Sequence, residues 1–573
     1  MTRSARWAIA FVVLFVVTSF AVVLLFLTSF GGSHFVPTSG VLHVKLDGEI
    51  PELAPHDSLT RALGREAVDL RDLLDALQKA QTDDGIHGVF VEIGSPSLGV
   101  AQSEELRAAL GRYRKSGKWA WAFLETAGEF QGGNGAYLIA AACDRVILAP
   151  PGDVALTGLR SETPFVRGLF DKLGIVPQFG QRKEFKNAPN TYTEKDYTPA
   201  HREATGRLLG SIFEDVVAAI AAGRRLTPER VRELVSNGPY TGPEAKERGL
   251  VDDLMYRDEA LDALDRKAGG RTLVGVARYL RGGRPHDGGG PRIAVIYAVG
   301  GVNRGRSGSS PFGGDTMGSD TIVAALRRAR EDDGVAAVVL RVDSPGGSYV
   351  ASDIIRREVE LTNRAKPVIA SMGNVAASGG YFVSMDARKI VADSSTITGS
   401  IGVFAGKMVT RDLWEQKLGV HWGGLQEGDN ADFWSSVTPY SAKGEERLNA
   451  MLDRIYADFT TKAAKGRGLG IEELEPLAHG RVWSGKDALE RKLVDRIGGL
   501  HEAIELARET AKVGPRYRVE VLPEPQGFLQ TLFARDDETR LLPVAVRQVL
   551  HKLATETDGR EQFLSVPDLP EIR

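Results

Sequence analysis

A pair of glycines follows an apolar, strand-like stretch in the second half of this 573-residue chain, within residues 343–348 (DSPGGS). Because glycine has no Cβ, the backbone N–H groups of Gly346 and Gly347 could turn toward a ligand without steric hindrance. Two such donors can stabilise the negative charge that develops on a carbonyl oxygen during acyl transfer. A tight turn that only joins a strand to a helix is the competing interpretation.

A second glycine-rich segment, residues 376–381 (AASGGY), contains a serine where a strand is predicted to give way to a helix. The neighbouring residues are small, so the hydroxyl of Ser378 would be sterically open to a substrate. The helix would supply unpaired N–H groups, among them that of Gly379, and a partial positive charge. This pattern suits a nucleophile beside an oxyanion donor, although Ser378 could instead be a simple helix cap.

The chain contains two copies of one pattern. Residues 83–110 (DDGIHGVFVEIGSPSLGVAQSEELRAAL) resemble residues 332–359 (DDGVAAVVLRVDSPGGSYVASDIIRREV), which begin 249 residues later. Two further pairs of matching segments follow in the same order, at spacings of about 244 residues. So long a period indicates a duplicated domain, because solenoid repeats are only roughly 20–50 residues long.

The two copies differ at the positions that could do chemistry. Where the second copy has its glycine pair, the first has residues 94–99 (GSPSLG), and where the second has Ser378, the first has Asn134. An asparagine cannot act as a hydroxyl nucleophile. The sequence therefore assigns a serine-dependent reaction to the second copy.

Short apolar strands alternate with amphipathic helices in each copy. In the second copy, residues 293–299 and 335–342 are typical of buried strands, whereas residues 321–330 and 350–361 have the apolar spacing of helices. The alternation predicts an α/β fold with parallel strands. Between the copies, the Gly- and Pro-rich residues 281–292 predict an exposed linker.

The motifs DSPGGS, ASGGYF and TGSIGVF, which begin at residues 343, 377 and 398, resemble in order and spacing those of the signal peptide peptidase A family in its long, duplicated form. The resemblance covers about residues 7–515. These are bacterial membrane-bound serine endopeptidases of peptidase family S49. The resemblance implies two tandem Clp/crotonase-like domains after an N-terminal transmembrane helix. It also implies degradation of cleaved signal peptides or of misfolded exported proteins.

The resemblance further implies a Ser-Lys dyad that contains no histidine. Its nucleophile falls on Ser378, and its general base falls on Lys186 in the first copy. Ser400 would orient the lysine. The oxyanion hole would be formed by Gly346, Gly347 and Gly379.

A lysine can act as a base only when it is neutral, so burial must lower the pKa of Lys186. Arg182 and Lys183 are the neighbouring rivals for this role. None of the ten histidines lies in the glycine-rich segments, which agrees with a mechanism without histidine. The corresponding segment of the second copy, residues 427–432, has no lysine. The active centre is therefore expected where the two copies meet, within one chain or between neighbouring chains.

An uncharged run of 23 residues, Ala8–Phe30, follows Arg3 and Arg6. As a helix it would cross a hydrocarbon core of about 30 Å, and the arginines before it favour a cytoplasmic N-terminus. We therefore expect a cytoplasmic tail (residues 1–6), a single-pass anchor in the bacterial inner membrane (residues 7–30) and a periplasmic remainder. A cleaved signal peptide is the alternative, although its apolar core would be only about 7–15 residues long.

The remainder of the chain is predicted to consist of four parts. Residues 31–280 would form the first protease-like half and residues 293–515 the second, joined by the linker of residues 281–292. Residues 516–573 would be a C-terminal extension, whose first residues could add one strand.

The amino-acid composition argues against several kinds of partner and binding site. Lys plus Arg number 72 and Asp plus Glu 75, a near balance that argues against a nucleic-acid-binding protein. Cys143 is the only cysteine, which excludes an internal disulfide and a cysteine-based zinc site. No cofactor and no metal are predicted. The resemblance implies extended apolar peptides as substrates, contact with membrane lipid, and a ring-like homo-oligomer, a tetramer.

Two other functions stay open at the level of sequence. A crotonase-type acyl-CoA hydratase or hydrolase would use similar glycine turns, but the anchor and the absence of a well-placed pair of glutamates argue against it. CoA binding would distinguish that class. An inactive membrane scaffold of the same fold would be expected to have lost Ser378 or Lys186, and both are present.

Overall fold

The computed structural model describes residues 40–54, 68–130, 132–270, 272–310, 314–523 and 564–565. The predicted anchor and most of the predicted C-terminal extension lie outside these residues. Within the described ranges, no helix is both long and apolar enough to span a membrane.

The first half of the chain contains the strands β1 (Gly40–Glu49), β2 (Ile86–Ser97), β3 (Trp119–Leu124), β4 (Arg145–Leu148), β5 (Asp153–Val154), β6 (Val176–Arg182), β7 (Tyr240–Thr241), β8 (Asp253–Leu254) and β9 (Leu273–Gly275). Six of them form a parallel sheet with the order β8-β4-β3-β2-β1-β9. Its helices are α1 (Leu70–Thr82), α2 (Val100–Lys115), α3 (Asn134–Ala140), α4 (Arg167–Leu173), α5 (Asn190–Thr193), α6 (Pro199–Arg224), α7 (Pro228–Asn237), α8 (Gly242–Glu247), α9 (Arg257–Ala268) and α10 (Val276–Leu280).

The second half contains the strands β10 (Arg292–Val299), β11 (Gly301–Asn303), β12 (Gly308–Ser310), β13 (Gly314–Gly318), β14 (Val335–Ser344), β15 (Gly346–Gly347), β16 (Val368–Ala377), β17 (Lys389–Ala392), β18 (Ile397–Gly399), β19 (Val403–Val409), β20 (Val482–Ser484), β21 (Arg496–Ile497), β22 (Arg518–Leu522) and β23 (Leu564–Ser565). Six of them repeat the order of the first sheet along β21-β17-β16-β14-β10-β22, and neighbouring strands in this order are again parallel. Its helices are α11 (Ser319–Glu331), α12 (Tyr349–Ala365), α13 (Gly379–Ser384), α14 (Ala442–Arg467), α15 (Ile471–Leu474), α16 (Gly485–Glu490) and α17 (Leu500–Thr510), with a π-helical turn at Leu413–Lys417 and a 3₁₀ turn at Glu475–Leu477.

The repeated strand order establishes a duplicated α/β fold, as the sequence predicts. In each sheet, the first strand of the copy lies between the next strand of the same sheet, β2 or β14, and a late strand, β9 in the first half and β22 in the second. Since β22 begins at Arg518, the second sheet extends into the part of the chain that the sequence analysis placed in the C-terminal extension.

The two halves pack face to face instead of being joined only by a linker. Val295, Val339 and Ile369, on one face of the second sheet, belong to the same hydrophobic cluster as Leu106 and Leu110 of the first-half helix α2. The second sheet is thus covered on both faces, which explains why its central strands are apolar without alternation.

Two further contacts fix the halves relative to each other. Strand β6 of the first half pairs antiparallel with β19 of the second over seven residue pairs, from Val176 with Val409 to Arg182 with Val403. In addition, Arg341 on β14 is completely buried and forms ion pairs with two first-half carboxylates. The chain that leaves β6 is thereby held beside the chain that enters β19.

Candidate active site

Ser378 occupies the junction between β16 and α13, as the sequence predicts. Its backbone has φ 54° and ψ −112°, an unfavourable conformation for a residue with a Cβ. The turn is held by its N–H, which donates to the Gly399 carbonyl at 2.9 Å, and by its carbonyl, which accepts from the Phe382 N–H at 2.8 Å. The surrounding structure therefore imposes this conformation and fixes the position of the Ser378 hydroxyl.

The glycine pair lies against this turn. A Cβ placed on Gly379 would come within 3.0 Å of the Gly346 Cα and 3.1 Å of the Gly347 nitrogen, so the two backbone segments are in direct contact. Gly347 has φ +153°, and a Cβ there would lie 2.2 Å from the Val302 carbonyl oxygen. Glycine is thus required both by conformation and by space.

The two glycines of the pair are not equivalent as donors. The Gly346 N–H donates to the Ser344 hydroxyl at 3.2 Å, and that hydroxyl in turn donates to the Gly300 carbonyl at 2.6 Å. The Gly346 N–H is therefore engaged within the protein, contrary to the expectation that it contributes to an oxyanion hole. Gly347 lies in β15, where it is paired with Leu564 of β23. Gly379 opens helix α13, where the first N–H groups lack partners within the helix.

Lys186 follows β6 and crosses into the second half. Its Nζ atom lies 2.9 Å from the Ser378 Oγ, 3.0 Å from the Ser400 Oγ and 3.2 Å from the Ser400 carbonyl oxygen. The structure thus brings the three predicted side chains together within a single chain.

The environment of Lys186 favours its neutral form. The side chain is 1% exposed. Burial lowers its pKa from the ordinary value to about 7, because desolvation penalises the ammonium ion. A neutral amine that accepts from one hydroxyl and donates to another can take up a proton from a serine.

The two basic side chains near Lys186 in sequence do not contact Ser378 but bind carboxylates. Lys183 forms an ion pair with Glu475 at 2.7 Å, and Arg182 forms one with Asp453 at 2.6 Å. The rivals considered from sequence are thus engaged with carboxylates of the second half, and Lys186 is the one that reaches the serine.

A loop of the second half, residues 478–481, supports the lysine and was not identified from sequence. The Phe185 N–H donates to the His479 carbonyl at 3.1 Å, and the Ser400 N–H donates to the Arg481 carbonyl at 2.7 Å. Gly480 has φ +79°, and a Cβ there would lie 2.5 Å from the Lys186 Cβ. The available signal was a single glycine in "AHGRVW", which does not reveal its contact with a segment almost 300 residues earlier.

Asn134, the first-half residue that corresponds to Ser378, makes different contacts. Asn134 begins helix α3, as Ser378 precedes α13. Its side-chain amide donates to the Gly158 carbonyl at 2.8 Å, and its side-chain oxygen accepts from the Thr157 N–H at 3.3 Å. Asn134 thus ties its turn to the adjacent loop, a structural role without a nucleophile.

The described residues contain no group of His, Cys, Asp or Glu side chains arranged to hold a metal ion. The buried Cys143 has its pKa raised to about 12 by desolvation, so its thiol is unreactive at neutral pH. The chemistry that this arrangement can perform is proton transfer and nucleophilic attack by the serine.

Comparison with known proteins gives relatives over most of the chain. "Protease 4" of Salmonella typhi is 31% identical over 548 residues, which cover 91% of this chain and 86% of that protein. "Serine protease SPPA, chloroplastic" of Arabidopsis thaliana is 32% identical over 78% of this chain and 66% of that protein. "Putative signal peptide peptidase SppA" of Enterococcus faecium is 29% identical over 46% of this chain and 78% of that protein.

The family model "Peptidase family S49" matches twice, at residues 116–270 and at residues 360–514. The two matches fall on the two copies that the sequence and the sheets reveal, and together they cover more than half of the chain. The protein is therefore a member of peptidase family S49 in its duplicated form.

Proposed function

We propose that the protein is a membrane-anchored serine endopeptidase with a Ser-Lys dyad, which degrades cleaved signal peptides and other extended apolar peptides. The observation that carries the proposal is the 2.9 Å contact between the Lys186 Nζ and the Ser378 Oγ. It joins a base from one half to a nucleophile from the other, at a site where water is largely excluded.

Acylation uses both members of the dyad. The Ser378 Oγ attacks the carbonyl carbon of the scissile peptide bond while its proton passes to the neutral Lys186 amine. The resulting ammonium group then protonates the leaving nitrogen, the C–N bond breaks, and an ester joins the substrate's acyl group to Ser378. In deacylation, Lys186 takes a proton from water, the hydroxide formed attacks the ester, and Ser378 recovers its proton.

Two backbone N–H groups stabilise the tetrahedral intermediates. We assign this role to Gly347 and Gly379, whose segments are in contact beside Ser378. Gly346 has a supporting role, because its N–H is held by Ser344. Ser400 orients the amine by accepting one of its protons at 3.0 Å.

Burial of the dyad selects extended substrates. Ser378 is fully buried and Lys186 is 1% exposed, so a folded domain cannot approach them. A single extended strand is thin enough to enter, and its apolar side chains gain free energy on leaving water. A spent signal peptide has both properties. The name of the relative from Enterococcus faecium, "Putative signal peptide peptidase SppA", supports the same class of substrate.

The N-terminal sequence supports a location at the membrane. We propose that residues 7–30 anchor the protein in the bacterial inner membrane with residues 1–6 in the cytoplasm and the catalytic part in the periplasm. A homotetrameric ring over the membrane would enclose the sites and keep folded exported proteins away from them.

The test is hydrolysis of a signal-peptide-like peptide by the purified full-length protein in detergent. Ser378→Ala, Lys186→Ala and Lys186→Arg should each lose nearly all activity, the last because a guanidinium stays charged. Lys183→Ala is the matched control and should retain activity. Turnover by Ser378→Ala, or binding of CoA with hydration of an acyl-CoA, would overturn the proposal.

A second experiment tests whether one chain suffices. Ser378→Ala and Lys186→Ala chains are unfolded, mixed and reassembled. Because the contact lies within one chain, the mixture should stay inactive. Recovered activity would mean that the dyad forms between chains.

A further inference from the structure

Strand β16 contains a bulge just before the turn that presents the nucleophile. On its pairing with β14, Val342 lies opposite Met372, whereas Ser344 lies opposite Ala376. The chain thus advances two residues on β14 and four on β16, so that one residue of β14 faces three of β16. Bulges bend a strand and change the direction of the side chains beyond them, and they are over-represented next to active sites.

The bulge determines which residue of β14 and its continuation faces Ser378. Regular pairing, continued past the last paired residues, would place Ser348 opposite Ser378. The shifted register places Gly346 there, which agrees with the close approach of Gly346 to Gly379. Two residues of strand correspond to about 7 Å. The bulge therefore brings the nucleophile to the glycine pair.

Asp343 is the single β14 residue that faces the bulge, and its carboxylate holds the bulge in place. Its Oδ1 accepts from the Val375 N–H at 2.9 Å, so the side chain replaces a backbone acceptor that the register shift removes. Gly373 provides the space, since a Cβ there would lie 3.2 Å from both the Cβ and the Cγ of Asp343. The backbone of Asp343 is fixed in turn, because its carbonyl accepts from the Gly300 N–H at 2.9 Å.

The middle residue of the bulge, Asn374, contacts the first half. Its Oδ1 accepts from the Gln102 N–H, in the first turn of α2, at 3.3 Å. Gly99, the residue before α2, has no side chain that could cap the helix, and a Cβ there would lie 2.0 Å from the Asn374 Oδ1. Asn374 therefore serves as a helix cap supplied by the other half, and the bulge is held from both sides.

The first copy lacks this arrangement. Gly94 stands where the second copy has Asp343. Strands β2 and β3 pair there without a shift, from Gly88 with Trp119 to Ile93 with Leu124. The carboxylate and the bulge are thus found in the copy that contains the nucleophile.

We propose that Asp343 is a positioning residue for hydrolysis: by accepting the Val375 N–H it maintains the bulge and so sets the position of Ser378 relative to the glycine pair. The inference rests on the proposed function. Burial raises the pKa of Asp343 to about 7, and the Glu52 carboxylate adds to the rise. The carboxyl group is therefore partly protonated at neutral pH, and its role requires an acceptor oxygen and not a charge.

Three variants separate these features. Asp343→Val keeps a branched, strand-forming side chain but has no acceptor. Asp343→Asn keeps an acceptor oxygen without the charge. Asp144→Val is the matched control, because the Asp144 Oδ2 accepts from the Ala120 N–H at 2.8 Å in the first-half sheet. For each full-length protein in detergent, we measure kcat and KM with a signal-peptide-like peptide, the rate at which a fluorophosphonate labels Ser378, and stability in urea.

Asp343→Val should lower kcat and the labelling rate by about 100-fold, which a displacement of roughly 1 Å can cause. Its KM should change by less than about threefold, because the substrate groove itself is retained. Asp343→Asn should stay within about fivefold of the wild-type kcat, since its amide oxygen accepts the same bond. The control should keep both rates.

If Asp343→Val does not fold, Gly373→Ala replaces it, because the added Cβ presses on the same carboxyl group, and both rates should fall. Labelling of the deciding variant at the wild-type rate, or equal losses in Asp343→Asn, Asp343→Val or the control, would overturn the inference. Absence of peptide hydrolysis by the wild type would overturn the proposed function instead, and the labelling rates would still decide the role of Asp343.

Discussion

The Nζ atom of Lys186 lies 2.9 Å from the Oγ atom of Ser378, although the two residues are 192 positions apart and come from different copies of one duplicated domain. Neither copy contains both groups, since Asn134 replaces the serine in the first and residues 427–432 lack a lysine in the second. Duplication thus allowed nucleophile and base to be divided between halves, and the packing between the halves determines the geometry of the site.

The pH dependence of hydrolysis should report the titration of Lys186. Its pKa is lowered to about 7 by burial, and only the neutral amine can accept the serine proton. Activity should therefore be low at pH 5.5, rise tenfold per pH unit below 7 and level off above about pH 8. The measurement is kcat/KM against pH with an uncharged peptide. A profile that is flat across this range would argue against a titrating lysine base.

Gly480→Ala should impair catalysis without altering either member of the dyad. A Cβ at this position would press on the Lys186 Cβ, and the left-handed φ of +79° adds backbone strain. We expect a fall in kcat of at least tenfold and a loss of stability of about 1–2 kcal/mol. Gly468→Ala is the matched control, since Gly468 has φ +63° but nothing within 4 Å. The control should lose only the stability that backbone strain accounts for and keep its kcat, and equal losses of kcat would contradict the supporting role of Gly480.

The sequence predicted the parts of the site that depend on local pattern. The positions of Ser378 and Gly379 were predictable because a turn of small residues between a strand and a helix can be recognised from consecutive residues of the sequence. The engaged N–H of Gly346 could not be foreseen, since it depends on how the Ser344 side chain folds back. The contact of Gly480 with Lys186 depends on the long-range packing of the halves.

For the fold, too, the sequence predicted the local features but not the long-range contacts. Alternating apolar strands and helices predicted the parallel α/β architecture, and the internal match predicted its duplication. The pairing of β6 with β19 was not predictable, because either segment by itself could equally pair within its own half. Likewise, nothing local to Arg341 indicates that its partners lie in the other copy.

Lys186→Met should stabilise the folded protein while abolishing activity. At pH 7 the unfolded chain binds more protons at this position than the folded one, because burial lowers the pKa of Lys186 from 10.5 to about 7. The buried lysine therefore lowers the free energy of unfolding, most strongly at and below neutral pH. Methionine removes that cost, and we expect a gain of about 1–3 kcal/mol at pH 7 that shrinks as the pH approaches 10. Urea denaturation at both pH values measures it, and a variant less stable at pH 7 would contradict the prediction.

The N-terminal segment should remain attached as an anchor. Its uncharged run of 23 residues is longer than the apolar core of a cleaved signal peptide, about 7–15 residues. Protease added to spheroplasts should digest the catalytic part, and the purified protein should begin at its original N-terminus. A mature sequence that starts near Gly31 or Gly32 would instead show that the segment is removed.

Arg341→Met should destabilise the protein because it leaves two carboxylates buried without a counter-charge. The guanidinium contacts Glu52 at 2.8 Å and Glu105 at 2.5 Å, and all three side chains are almost wholly excluded from solvent. Burial raises the pKa of Glu105 and Arg341 acts to lower it, so without the arginine this carboxyl is expected to bind a proton or be exposed. We expect a loss of about 3–5 kcal/mol, measured by urea denaturation at pH 7.

The matched control is the triple variant Arg341→Met, Glu52→Gln, Glu105→Gln, which removes the carboxylate charges together with the arginine. If the cost arises from unpaired charge, the triple variant should recover most of the stability, since replacing a whole buried ion cluster by neutral groups is often close to neutral. The single variant should also recover part of its deficit between pH 7 and pH 5, because burial raises the pKa of Glu105 and a protonated Glu105 needs no counter-charge. Equal losses in the single and triple variants, at both pH values, would mean that packing and not charge is what Arg341 contributes between the halves.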